Sequence, residues 1–433
     1  METVKRSVVK SDLLSVLRIP SFFFMMASEF FSQFAFNMQN FVLIFIIFSL
    51  THSNTAVSGI ILSFMIPAVL LSVFTGVFVD RWKKKEVLFL TNLIRGILLL
   101  GFLIPHVNVS IIYLLTFFIA VATQFFVPAE SAIIPSLVPQ RLVISANAVF
   151  TFGIYATMLM GYVLSGPTLL ILGQFYTIIF LASLFFIGTF FILFVNPYKK
   201  EKIIKNSIER TIVKTEGNFL RETKDIFLFI KRTKKVFNAL LLLTIAQGVV
   251  FLFAVLAPGY VRDILGVQIE NVSWIFILPA AVGIGIGVFL ISSIGKRYQF
   301  HWLSSLGFII AGITFILLPF GSKVTSYKIV SVVNSYLPHL FNITILHIIV
   351  VMAVIIGFAI SLVFVPCNAT IQIETHEKMR GRVYGFLNAL IGGVSFLPVV
   401  LAGGLADIFG VSMVITGVGG IMFLIGILFL FVG

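Results

Sequence analysis

The chain has 433 residues, of which 59% are hydrophobic and 11% charged, and its mean hydropathy is +1.13. That balance excludes a water-soluble globular protein. The net charge of +14 would suit a nucleic-acid partner if it were gathered on one polar surface. The basic residues instead lie in segments between long apolar runs, so no nucleic acid is expected. A single cysteine, Cys367, leaves no internal disulfide and no cysteine-based metal site.

In chain order, twelve apolar runs are long enough to cross a bilayer as helices. They are predicted at 20–50, 56–79, 87–105, 110–128, 142–165, 168–195, 236–257, 273–293, 302–320, 345–366, 383–404 and 410–432. Lys5, Arg6, Lys10 and Arg18 precede the first run, which is too long for the apolar core of a signal peptide and reads as a retained span. With the N-terminus placed in the cytoplasm, 26 of the 30 Lys and Arg residues fall in inner segments. Only Arg262, Lys323 and Lys328 fall outside, and Arg95 lies within span 3. This asymmetry predicts a multi-pass protein of the plasma (inner) membrane with both termini cytoplasmic. Trp82, Trp274 and Trp302 all fall at predicted span ends, where indole favours the interface.

The basic stretch 196–235 divides the spans six and six. The expected organisation is a six-helix bundle over 1–195, a cytoplasmic linker over 196–235 and a second bundle over 236–433. The halves echo each other: Phe125-Phe126-Val127-Pro128 ends span 4 much as Val363-Phe364-Val365-Pro366 ends span 10. Asn147-Ala148 likewise corresponds to Asn388-Ala389, which suggests a duplicated unit with its site at the repeat interface. Gly283, Gly285 and Gly287 alternate inside span 8 and read as close helix packing, not as a nucleotide loop. No Walker motif is present and the six histidines lack ligand spacing, so neither a cofactor nor a metal is expected. The long segment 321–344, with Tyr327, Tyr336, Pro338 and His339, is predicted to be an interfacial helix.

The loop between spans 2 and 3 carries a sharper pattern, GVFVDRWKKK over 76–85. Asp80 ends its helix, where the macrodipole disfavours negative charge, so it needs a nearby Arg or a helix N-terminus. Gly76, one turn earlier, lets another helix approach closely. The segment is therefore expected to form a latch at the inner face, with Asp80 and Arg81 on one side. Arg382 at the start of span 11 is the expected partner and Arg380 the reserve.

Here G-x-x-x-D-R-x-x-K-K resembles the signature loop of the major facilitator superfamily, with Lys83 where the usual form has Gly. Its Asp-Arg-aromatic variant is similar to the macrolide-efflux-like branch of drug/proton antiporters. Ser32-Gln33, the run Phe126-Val127-Pro128-Ala129-Glu130-Ser131, the run from Pro258 to Gly266 and Arg380-Gly381-Arg382-Val383 carry the likeness along the chain. The resemblance implies an all-α membrane protein, twelve transmembrane helices in two pseudosymmetric six-helix bundles that rock around a central cavity. The chain departs from relatives at Phe36, where an acid is common, and at Tyr162, where Pro is common. It also lacks the Arg found in span 4 of other antiporter branches.

Glu29 is the most informative single residue. A charge at mid-membrane costs about 2.5–3.5 kcal/mol on insertion scales. Gln33, Asn37 and Asn40 extend a polar face on the same helix, expected to line a cavity or to contact another helix. Glu29 is thus expected to be the proton site or the counter-ion of a cationic substrate. Gln124, Tyr155, Gln247 and Asn388 are further candidates for the same cavity. Arg95 and Glu130, the latter placed just past span 4, are expected to pair near the inner face. The expected function is a proton-coupled secondary transporter, monomeric and not an enzyme, exporting amphiphilic drug- or metabolite-like molecules by alternating access. Uptake or lipid translocation on the same fold, or a membrane receptor or scaffold without transport, are the alternatives.

Overall fold

The computed structural model describes residues 15–105, 108–197, 227–294, 300–319 and 344–432. Lys5, Arg6 and Lys10, most of the basic linker and the predicted interfacial segment beyond 320 lie outside the described residues. Among the described residues there is no strand. Eleven long helices follow in order: α1 Pro20–Thr51, α2 Asn54–Arg81, α3 Lys84–Leu100, α4 Val109–Leu137, α5 Val143–Leu193, α6 Lys234–Gly259, α7 Leu278–Ile294, α8 Phe300–Leu317, α9 Ile345–Glu374, α10 Glu377–Phe409 and α11 Val411–Val432.

These eleven make twelve spans because α5 contains two. Its 51 residues exceed twice what a bilayer core of ~30 Å requires. The break falls at Gly173, with φ 70° and ψ 171°, and not at the predicted boundary around Pro167, which stays inside the helix. Only glycine settles readily in that backbone region. Thr177 then donates its hydroxyl to the Gly173 carbonyl at 2.7 Å, so the first turn after the break is tied back to it.

Two further boundaries move for a related reason. α4 runs to Leu137 and α9 to Glu374, well past the predicted ends at 128 and 366. The prolines read as stops, Pro128 and Pro366, lie inside these helices. Transmembrane helices tolerate proline because neighbouring groups re-satisfy the freed carbonyl. Beyond α6 the chain makes a π-turn, Tyr260–Ile264, and the Tyr260 hydroxyl donates to the Leu318 carbonyl at 2.7 Å.

The chain forms two compact units. The first takes residues up to Ile46 and from Ser63 to Ile212; the second takes Ile47–Leu62 and everything from Val213 onward. In the first, Phe22, Met25, Leu88, Phe126, Ile133 and Ile192 pack into one buried cluster. Phe31 stacks on Phe191 with ring centroids 5.8 Å apart.

In the second unit several helix contacts are made by small residues. A Cβ at Gly283 or Gly287 of α7 would strike Val354, Phe358 or Ser361 of α9. One at Gly312 of α8 would strike Gly419 and Phe423 of α11. Helices in lipid gain little from hydrophobic burial against one another, so close van der Waals approach must hold them. Gly285 differs, since open space surrounds it. The lone thiol, Cys367, is fully buried on α9 beside the Ser304 hydroxyl, 3.3 Å away.

Gly173 and Gly404 give opposite expectations. Gly404 lies in α10 with open space where a Cβ would sit and no neighbour within 4 Å, so Ala there should leave the melting midpoint in detergent unchanged or slightly raised. Gly173→Ala should lower it, losing about 1–3 kcal/mol to backbone strain.

Candidate functional site

Three helices of the first unit bring charged side chains to one buried point. α1 supplies Glu29 and, one turn later, Gln33. α4 supplies Phe126 and Glu130, again one turn apart, so both face the same way. α3 supplies Asn92 and Arg95. Glu29, Glu130 and Arg95 are 1%, 2% and 0% exposed, which seals them from solvent and from lipid alike.

The polar contacts are few. Gln33 Nε2 donates to Glu130 Oε1 at 3.4 Å. Glu29 stands next to both Glu130 and Gln33, yet neither of its oxygens receives a fully formed hydrogen bond, nor does Glu130 Oε2. Two ionised carboxylates are both acceptors, so a hydrogen bond between them requires a proton on one. Arg95 attracts both acids through space. Its Nη2 donates to Asn92 Oδ1, and its guanidinium lies 4.1 Å from the ring centre of Phe126 and 4.9 Å from that of Phe185. Aromatic faces on a desolvated guanidinium offset part of the cost of burying it.

Glu29 is enclosed against helices of the first unit, the helix contact that was one of its two expected settings. Arg95 and Glu130, expected to pair, lie in the same cluster, with α4 continuing beyond Glu130 to Leu137. No ion pair within 4 Å joins Arg95 to either acid among the described residues. Asn37 donates back to the Gln33 carbonyl at 2.8 Å, a local bond along its own helix. Gln124 and Gln247 are half-buried, Tyr155 and Asn388 exposed, and none takes part in the cluster. The surroundings of Gly76 and the side chains of Asp80, Arg81 and Arg382 lie outside the described set. Arg380 donates its Nε to the Thr375 carbonyl at 3.2 Å.

A second polar site, within the other unit, went unnoticed in the sequence. Asp407, near the end of α10, caps the start of α2. One oxygen accepts from the backbone N–H of Asn54 at 2.8 Å and from its side-chain amide at 2.9 Å. The other accepts from the Ser53 hydroxyl at 2.6 Å, the Thr55 N–H at 3.0 Å and the Thr55 hydroxyl at 2.7 Å. A carboxylate at a helix N-terminus meets orphan N–H groups and the positive end of the dipole. One turn along α2, the Ser58 hydroxyl donates to the Val399 carbonyl of α10 at 2.7 Å, and Gly403 leaves room for that approach. The signal was the run Ser53-Asn54-Thr55 at a predicted span start, three residue types that cap helices.

Asp407→Ala should therefore cost about 0.5–2 kcal/mol, the range for losing an N-terminal cap, read as a lower melting midpoint in detergent. Asp407→Asn, which keeps an acceptor, should lose less.

Known proteins share both the sequence pattern and the fold. The family model for the Major Facilitator Superfamily matches residues 25–397. Similar sequences include the uncharacterized MFS-type transporter YfmI of Bacillus subtilis, 23% identical over 395 residues and covering 89% of each chain. The putative bacilysin exporter BacE of the same organism is 27% identical over 353 residues, covering 79% of this chain and 77% of its own. Among solved structures, the nucleoside transporter NupG superposes with a TM-score of 0.70 at 12% identity, covering 95% of this chain and 99% of that one. A POT family transporter solved with 5-aminolevulinic acid gives 0.65 at 14% identity, covering 94% and 95%. Eleven long apolar helices among the described residues, one of them double, and a family match over most of the length lead to one statement: the chain is an integral, multi-pass membrane protein that belongs to the major facilitator superfamily of transporters.

Proposed function

We propose that the protein is a proton-coupled exporter of amphiphilic small molecules, with both termini and its basic segments on the cytoplasmic face of the plasma membrane. The observation that carries this reading is the Glu29–Glu130–Arg95 cluster. With both acids ionised and the guanidinium charged, the cluster has one negative charge in excess. One proton shared between the facing carboxyls makes it neutral and supplies the hydrogen bond their geometry lacks. A site whose charge balance and hydrogen bonding both turn on one proton is suited to carry that proton through a transport cycle.

Glu29 and Glu130 are the proton-bearing pair in this reading, with Gln33 and Arg95 holding them in place. The substrate is met elsewhere, and Gln124 and Tyr155 of the first unit and Gln247 and Asn388 of the second are the polar side chains proposed to contact it. Export is favoured over uptake by the likeness of the 76–85 loop to the macrolide-efflux-like branch and by the putative bacilysin exporter among the relatives. The latch of Asp80 and Arg81 with Arg382 or Arg380 belongs to the same proposal, supported by the loop's composition.

Protein reconstituted in liposomes, with a fluorescent lipophilic cation as probe, tests the reading. Movement of the dye should follow an imposed pH gradient, and Glu29→Gln or Glu130→Gln should each reduce that movement at least tenfold while leaving dye counterflow measurable. Movement indifferent to the gradient in the unmodified protein, or a double Gln variant that still couples, would overturn it. Exchanging charges through Asp80→Arg with Arg382→Asp should restore part of the transport that either single change removes; no rescue with Arg382 or Arg380 would dismiss the latch.

A further inference from the structure

The first unit carries a groove that the transport reading does not use. It has a volume of about 750 Å³ and runs between α3 and α4, lined by Leu90, Ile94, Leu98, Phe118 and Phe125 with Trp82 at one end. Leu90 and Phe118 are 53% and 47% exposed in the isolated chain. From Lys83 to Leu98 the wall follows fifteen residues of helix, about 22 Å at 1.5 Å per residue. A single leaflet contributes about half of the ~30 Å hydrocarbon core, so the groove is long enough to receive an acyl chain from headgroup level inward.

The mouth of the groove is polar and basic. Lys83 and Glu86 both line it, and they pair at 2.6 Å with both side chains more than half exposed. Lys84 and Lys85 adjoin them, and Lys85 Nζ donates to the Leu193 carbonyl at 2.8 Å. The four residues 83–86 thus hold three positive charges and one negative. Trp82, half-exposed, stacks at 5.9 Å on Phe125 beside the mouth, where an indole sits well at headgroup level. An exposed pair such as Lys83–Glu86 contributes little stability, so a phosphate can compete for the ammonium at small cost.

We infer that this groove is a binding site for one anionic glycerophospholipid, with an acyl chain along α3 and α4 and its phosphate at Lys83 and Lys84. An apolar trough alone would accept any amphiphile. The net positive mouth selects a lipid with a negative headgroup over a zwitterionic one, since basic side chains at a membrane surface attract anionic lipid. Position 83 carries a lysine where the resembling loops carry glycine, so one of the three positive charges at the mouth is this chain's own.

The test is native mass spectrometry on the full-length protein in detergent, titrated separately with phosphatidylglycerol, phosphatidylcholine and free glycerol phosphate. Phosphatidylglycerol should bind at one saturable site more tightly than phosphatidylcholine, and glycerol phosphate should show no binding in the same range. Lys83→Gln and Lys84→Gln should each weaken phosphatidylglycerol binding about fivefold, the share of one basic residue near the surface. Ile94→Trp, which fills the trough without touching the charges, should remove the site for both lipids. Equal affinity for the two lipids, binding of glycerol phosphate as strong as that of the lipid, or lipid binding unchanged by Ile94→Trp would each overturn the assignment. Should a Lys variant fold poorly, Ile94→Trp and the lipid comparison decide the matter on their own.

Discussion

The structure turns on a charge balance held where water is scarce. Two carboxyls and one guanidinium share a space closed by Phe126 and Phe185, and the formal charges do not cancel unless a proton is present. A charge left unpaired in such surroundings is costly, and removing one member of a buried set is worse than never having built it. The cluster therefore constrains its neighbours. α1, α3 and α4 must keep their relative depth, because a shift of one turn would separate Glu29 from Glu130. The nearby packing is consistent with such rigidity: Ser28 donates to the Gly188 carbonyl at 2.8 Å, and a side chain at Gly188 would collide with Ser32.

The other unit is held by different means. Several of its helices meet through glycine against backbone, and its Asp407 carboxylate is well served. Asp407 accepts five hydrogen bonds from Ser53, Asn54 and Thr55, so its charge is met by a helix end instead of a counter-charge. The Glu29–Glu130 pair and Asp407 are thus served unequally. Three of the pair's four carboxyl oxygens accept no fully formed hydrogen bond, whereas both oxygens of Asp407 accept at least two.

The sequence disclosed the spans because hydropathy is a property of twenty residues at a time, and errors at the ends average out. It misplaced boundaries where a single residue had to decide. Pro128 and Pro366 look like terminators to a reader of soluble helices, but in a membrane the chain continues through them. The break of α5 was expected between 165 and 168, beside Pro167, whereas the backbone turns at Gly173. These errors propagated into the site. With α4 ended at 128, Glu130 became a loop residue at the inner face, and its meeting with Glu29 was hidden. Glu29 itself was legible, since an acid deep in an apolar run needs a reason. Asp407 was not, because an acid close to a span end raises no alarm, and its partners are about three hundred and fifty residues away.

Cys367 has a practical bearing. The chain's one native thiol is shut inside α9 against Ser304, with no exposed surface. Maleimide or spin-label reagents applied to the folded transporter will meet no reactive sulfur of its own. Cysteines can then be introduced singly or in pairs, on either unit, and their accessibility or separation followed through a working cycle without first stripping the background.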